Sequence, residues 1–190
     1  MLPEQPGPIP HLAVAAGKDG NMYFMNEEDL GGYSPTQNNV LGTYQIGGCW
    51  CGESYFQAPD GTGRVVASGN NSITLWQVQT SPTVALNYLQ SSATLIGQQN
   101  PGFFTSISSN GSRNLVIWAL SRPLATTRAP LFLYAFDPQS SSQGVLKQIF
   151  STEAGYWPNL GGDSNLVPVV SGGRVFVASN KLLAIFGLKK

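Results

Sequence analysis

Charge is what this 190-residue chain has least of. Only 11% of its residues are charged, and ten Lys+Arg balance ten Asp+Glu, where an average globular domain carries about a quarter. No net field recruits nucleic acid or an anionic membrane surface, and the basic residues from Lys18 to Lys181 are scattered along the chain. Histidine is nearly missing too. His11 stands alone, which removes most general-base schemes built on imidazole, and its place after Pro10 at a strand start reads as surface. No run of about 18 apolar residues is present to cross a bilayer as a helix. The first residues have neither a basic start nor an unbroken apolar stretch, so they do not read as a signal peptide. There is no Gly-x-Ser-x-Gly elbow, phosphate loop or Gly-x-Gly-x-x-Gly fingerprint, and no helical periodicity.

What is plentiful is turn material, with 22 Gly and 13 Pro beside a hydrophobic content of 42%. Many short strands joined by Gly- and Pro-rich turns make an all-β domain. A pair of strands recurs four times: His11–Met25, Arg64–Trp76, Asn114–Leu120 with Leu131–Phe136, and Arg174–Phe186. Each is an apolar strand, a tight polar turn (an insertion in the third copy) and a second apolar strand. The copies start at 11, 64, 114 and 174, spacings of 53, 50 and 60 residues, near the period of propeller blades (roughly 40–50 residues).

Adding flanking apolar segments extends the pairs into blades of four antiparallel strands. Ser54–Ala58, Phe103–Ile107 and Leu166–Val170 are innermost candidates, while Val40–Ile46, Ala93–Ile96 and Gly144–Phe150 are outermost candidates. The expected fold is an all-β, open β-propeller of about four blades (residues 11–46, 54–96, 103–150 and 166–188) behind a proline-rich, extended arm (residues 1–10). The first pair has no strand ahead of it and the fourth none after it, so the chain reads as the C-terminal part of a larger propeller. A complete four-bladed ring is the alternative. An open arc would expose apolar surface at its first and last blades and would self-associate or pair with a missing N-terminal half.

The copies also carry a resemblance. Ala16-Gly-Lys-Asp-Gly-Asn-Met-Tyr-Phe-Met-Asn26 with Asp29-Leu-Gly-Gly32, Leu133-Tyr-Ala-Phe-Asp-Pro138, and Val167–Ser179 running into Leu183–Leu188 resemble the repeat of quinoprotein-like propellers, the pyrroloquinoline quinone (PQQ) repeat. The resemblance implies the propeller fold and one of two trades. Some members are scaffolds without a cofactor, and others are alcohol or sugar dehydrogenases with PQQ and calcium in the funnel. A periplasmic or secreted full-length parent is also implied. The chain departs from the enzymes at two places. Val145-Leu-Lys-Gln-Ile-Phe150 lacks the tryptophan that commonly ends the repeat, and Trp50 separates Cys49 from Cys51 where the dehydrogenases have adjacent cysteines.

The chemistry-bearing segments are few. Cys49-Trp50-Cys51 reads first as two small, semi-buried thiols beside a packed indole, with Cys49 and Cys51 a candidate redox pair as the lesser reading. Two thiolates and one histidine fall short of the roughly four ligands of a metal site, and no Cys-x-x-Cys-His haem motif is present. Lys18-Asp19-Gly20, Asn70-Asn-Ser72 and Asn110-Gly-Ser112 read as turns, and Glu27-Glu28-Asp29 as a solvated loop. Three connections lead into innermost strands: Gly47–Glu53, Gly97–Gly102 and Gly155–Asn165. They would bring Trp50, Gln98, Asn100, Tyr156, Trp157, Asp163 and Asn165 to one funnel mouth. Aromatic rings with convergent amides suit a neutral polar ligand such as a sugar, or a peptide loop. The expected function is a binding or scaffold module with no cofactor. The alternative is a fragment of a PQQ- and calcium-dependent dehydrogenase whose catalytic residues lie outside this chain.

Overall fold

Alternating apolar residues closed by tight turns fold into strands throughout. The computed structural model describes residues 1–48, 52–95, 102–121, 129–142, 144–158 and 166–187, and these contain no helix. β1 (Leu12–Ala16), β2 (Asn21–Asn26) and β3 (Gly42–Gln45) form a three-stranded antiparallel sheet in chain order. β4 (Ser54–Gln57), β5 (Gly63–Gly69), β6 (Ser72–Gln79) and β7 (Ala85–Ser91) form an antiparallel meander, and β8 (Phe104–Asn110), β9 (Arg113–Leu120), β10 (Ala129–Ser142) and β11 (Val145–Trp157) form another. A single parallel bridge, Ser91 with Val145, joins the two into one eight-stranded mixed sheet, ordered β4-β5-β6-β7-β11-β10-β9-β8. β12 (Val169–Ser171), β13 (Arg174–Ser179) and β14 (Leu182–Gly187) make the last three-stranded sheet.

All four expected strand pairs are present as antiparallel neighbours: β1 with β2, β5 with β6, β9 with β10, and β13 with β14. Their turns have the expected chemistry. Asn70 (φ 53°) closes β5–β6 and Lys181 (φ 59°) closes β13–β14, both left-handed as two-residue hairpins require. Separate four-stranded blades, however, are not what the hydrogen bonding delivers. The eight-stranded sheet folds back so that its edge strands β4 and β8 lie side by side, with Ser54 Oγ 2.6 Å from Thr105 Oγ1, and it becomes nearly closed and barrel-like.

Packing divides the apolar residues into three cores. Leu12, Met22 and Phe24 of the first sheet meet Val65, Ala67, Trp76, Val78 and Leu86 of the first meander. Inside the eight-stranded sheet, Phe56, Val66, Ile73 and Leu75 of one meander meet Ile117, Tyr134, Phe136 and Leu146 of the other, with Phe103 between. Leu120, Leu131, Leu133 and Ala154 then meet Val175 and Val177 of the last sheet. Fully burying such side chains contributes roughly 1.5–3 kcal/mol each before chain entropy is subtracted.

Several expectations need correction. The fourth strand of the first meander is Ala85–Ser91. Ala93, Thr94 and Leu95 are not strand (Ile96 lies outside the described residues), because beyond Ser91 the chain wraps over the β5–β6 turn, with Ser92 N–H donating to Ile73 C=O (2.8 Å) and Leu95 N–H to Asn71 C=O (3.0 Å). The first ten residues are not a free extended arm. Leu2 N–H donates to Leu12 C=O (2.8 Å), Leu2 and Ile9 pack on the first core, and buried Gln5 donates from Nε2 to the Tyr55 hydroxyl (3.1 Å). Gly69 is a required glycine, since a Cβ there would sit 1.6 Å from Ile46 C=O. The chain leaving the first sheet presses directly on the end of β5.

Candidate functional site

The first strands of successive units converge. Ser54 begins β4, and its hydroxyl also donates to Thr105 C=O (3.1 Å) near the start of β8. The starts of β4 and β8 therefore lie together at one end of the molecule. Around that end the turns hold the connections by backbone bonds. Gly20 C=O accepts from the N–H groups of Ile46 (2.9 Å) and Gly47 (3.1 Å), and Asn70 N–H donates to Gly48 C=O (3.1 Å) while its Oδ1 accepts from Gly48 N–H (3.2 Å). Asn180 N–H donates to Tyr156 C=O (3.1 Å) in the same manner. Each asparagine sits in the hairpin of one unit and grips the chain leaving the unit before it.

Of the predicted site residues, Tyr156 and Trp157 lie among the described residues. Cys49, Trp50, Cys51, Gln98, Asn100, Asp163 and Asn165 lie outside them. Tyr156 and Trp157 belong to β11, not to a connecting loop. Trp157 pairs with Ala129, and its half-buried side chain packs on the third core. Gly155 marks a kink inside the strand instead of its end. Its φ is 119°, and a Cβ there would come 2.2 Å from Ser179 Oγ.

Glu53, just before β4, was not singled out by sequence. Burial pushes its carboxyl above the ordinary value, opposed in part by its own backbone N–H and that of Ala16. Among the described residues its Oε1 is buried and meets no hydrogen-bond partner. Its one sequence signal was position, an acid immediately ahead of an innermost strand. Glu27 Oε1 is likewise buried without a partner among the described residues, so the acidic segment at 27–29 is only partly solvated. His11, exposed as expected, sits 2.7 Å from Glu28 Oε1 through Nδ1. Calcium takes about 6–8 oxygen ligands. Among the described residues no three His, Cys, Asp or Glu side chains come together.

Two concavities lie elsewhere among the described residues. A cleft of about 410 Å³ opens between the second meander and the last sheet, lined by Val116, Trp118, Ile149, Phe150, Val175 and Phe186. Its walls are apolar, with Phe150 and Phe186 meeting edge to face at 6.3 Å. A second concavity of about 430 Å³ lies over the outer face of the first sheet, where Tyr23 and Met25 meet the exposed 30–40 loop. No protein-family model, curated protein or solved structure matches the chain.

Proposed function

We propose that the chain is a β-propeller segment of the PQQ-repeat type, acting as a binding or scaffold module through the loops at the end where β4 and β8 begin. The observation that carries this reading is the Ser54–Thr105 contact, which draws the first strands of neighbouring units together as strands around a common axis would be. Three further features support it. Each of the three cores joins only adjacent units. The grip of Asn70 on Gly48 is repeated by Asn180 on Tyr156. The last residue of β7 meets the first residue of β11, as outer strands of twisted blades do when they run head to tail around a ring. In this reading the eight-stranded sheet is two blades in face-to-face contact, fused at their rims by one bridge.

A ligand at this mouth is a neutral polar molecule or a peptide loop, held by aromatic faces and amides. The test is nuclear magnetic resonance with labelled protein against a panel of neutral oligosaccharides, beside an absorbance titration with PQQ and calcium. Shifts confined to the ends of β4 and β8 and to Trp157, weakened by Trp50→Ala and Trp157→Ala with strand content intact, are the expected result. Saturable uptake of PQQ with calcium would instead assign the chain to the dehydrogenase class. Shifts elsewhere, or none, would remove the binding-mouth reading.

A further inference from the structure

In each later unit a strand lies against the first member of the recurring pair: β4 against β5, β8 against β9 and β12 against β13. β1 pairs with β2 alone among the described strands, and its other edge is met by different groups. Beyond the ends of β1, Glu27 N–H donates to His11 C=O (3.0 Å) and Gly17 N–H to Asn21 C=O (2.8 Å), so His11 and Gly17 face β2. Residues of an antiparallel pair alternate between exchanging both hydrogen bonds and directing them away. Leu12, Val14 and Ala16 therefore direct their N–H and C=O groups away from β2. Two of these three find a partner outside the sheet. Leu12 C=O accepts from Leu2 N–H (2.8 Å), and Ala16 N–H donates to the Glu53 carboxyl.

The segment that supplies Leu2 is fixed to both sides of the first seam. Gln5 N–H donates to Pro10 C=O (2.9 Å), which folds residues 5–10 back on themselves. The buried Gln5 side chain donates from Nε2 to Pro3 C=O (2.7 Å) and to the Tyr55 hydroxyl of β4 (3.1 Å). Gly7 lies so near the end of β6 that a Cβ there would sit 2.9 Å from Thr80 C=O. Leu2 and Ile9 pack on the core that the first sheet shares with the first meander. Pro3, Pro6, Pro8 and Pro10 have no N–H to donate, so the segment offers a poor edge to any further strand. Covering an edge in this way is one means by which proteins keep strands from pairing between chains.

We propose that residues 1–10 and Glu53 form a clasp that caps the outward edge of β1 and locks the first sheet to the first meander. While it is shut, Leu2 and Glu53 occupy the two ends of that edge. When it opens, Leu12, Val14 and Ala16 pair with the same edge of a second copy, a self-complementary contact that closes as a dimer. The clasp is independent of the mouth ligand, because it concerns backbone groups of β1 and is read from their exchange and from mass.

The test opens the clasp without altering β1. Gln5→Ala removes the tie to Tyr55, and Leu2→Pro removes the N–H given to Leu12; one variant carries both. At high dilution, the amides bonded between β1 and β2 should exchange about tenfold faster than in the parent, while those of β9 and β10 keep their parent rates. At higher concentration, light scattering should give a heavier species than the parent. Adding Val14→Pro, which removes an outward N–H, should return the mass to the parent's. Equal acceleration in every strand, parent rates in β1 and β2, a mass that does not rise, or a heavier species that survives Val14→Pro each overturns the proposal. So does a parent whose own mass falls on Val14→Pro, because its edge would then be open with the clasp shut. If the double variant does not fold, Tyr55→Phe takes its place, since it removes the hydroxyl that Gln5 reaches and keeps the ring. It should speed exchange in β1 and β2 alone by about threefold, and parent rates there overturn the proposal.

Discussion

Phe136→Ala tests whether the two meanders share the core described between them. Phe136 is fully buried in β10, stacks on Tyr134 at 6.4 Å, and faces residues of both meanders. A buried phenylalanine removes about 150–200 Å² from water, which at ~25 cal/mol/Å² amounts to roughly 4–5 kcal/mol. Large-to-small substitutions of this kind cost about 3–5 kcal/mol once partial collapse of the cavity is included. That is a third or more of the ~5–15 kcal/mol that holds a domain together. With a urea dependence of ~2 kcal/mol per molar, the unfolding midpoint should fall by about 2 M. Circular dichroism during urea titration is the assay, and Ile185→Ala on the exposed face of the last sheet is the control, expected within ~0.5 kcal/mol of the parent. If Phe136→Ala costs less than ~1 kcal/mol, or no more than Ile185→Ala, the meanders do not pack as described.

Ser68→Ala should cost about 2–4 kcal/mol by thermal or chemical unfolding, since the Ser68 hydroxyl donates to Phe103 C=O (2.8 Å) and accepts from Phe103 N–H (2.9 Å) in a buried place and both groups would lose their partner. Glu53 binds its proton more tightly when folded, so its contribution is fully present below about pH 4.5 and is lost as pH rises through the raised folded value. Glu53→Gln should therefore gain stability over the parent at pH 7–8, with the gain shrinking toward pH 4.5; a constant difference between the two pH–stability curves would refute the burial argument. The Tyr23 hydroxyl donates to Asp19 and, with Asn21, holds that carboxyl below its ordinary 3.8. Tyr23→Phe should raise the Asp19 titration midpoint measured by carbon-13 resonance, and an unmoved midpoint would refute the contact.

The paired strands of each unit were legible because their apolar residues recur on either side of a tight polar turn. Val65–Ala67 and Val175–Val177 announce themselves as apolar runs, and Asn70 and Lys181 sit where the turns fall. β7 was not legible. Its middle, Asn87, Tyr88 and Leu89, is exposed, so no apolar run marks it. Gly155 misled for a different reason. A glycine ordinarily marks a loop, but here it yields room to Ser179 of the neighbouring sheet, a demand set by a residue 24 positions away. Of the expected mouth, most residues lie outside the described ones, and the structure shows the starts of β4 and β8 side by side.

The separation of the three cores gives the molecule a grain. No core is shared by more than two successive units, so cohesion passes from sheet to sheet as in a short stack of plates, and each plate depends on the one beside it. The interior plates are gripped on two faces and the outer ones on one. Opening should therefore begin at β1–β3 or β12–β14 and travel inward, with the amides of β5, β6, β9 and β10 the last to exchange. A force applied at the two ends would peel the stack plate by plate, and the record of extension would show steps in place of a single rupture.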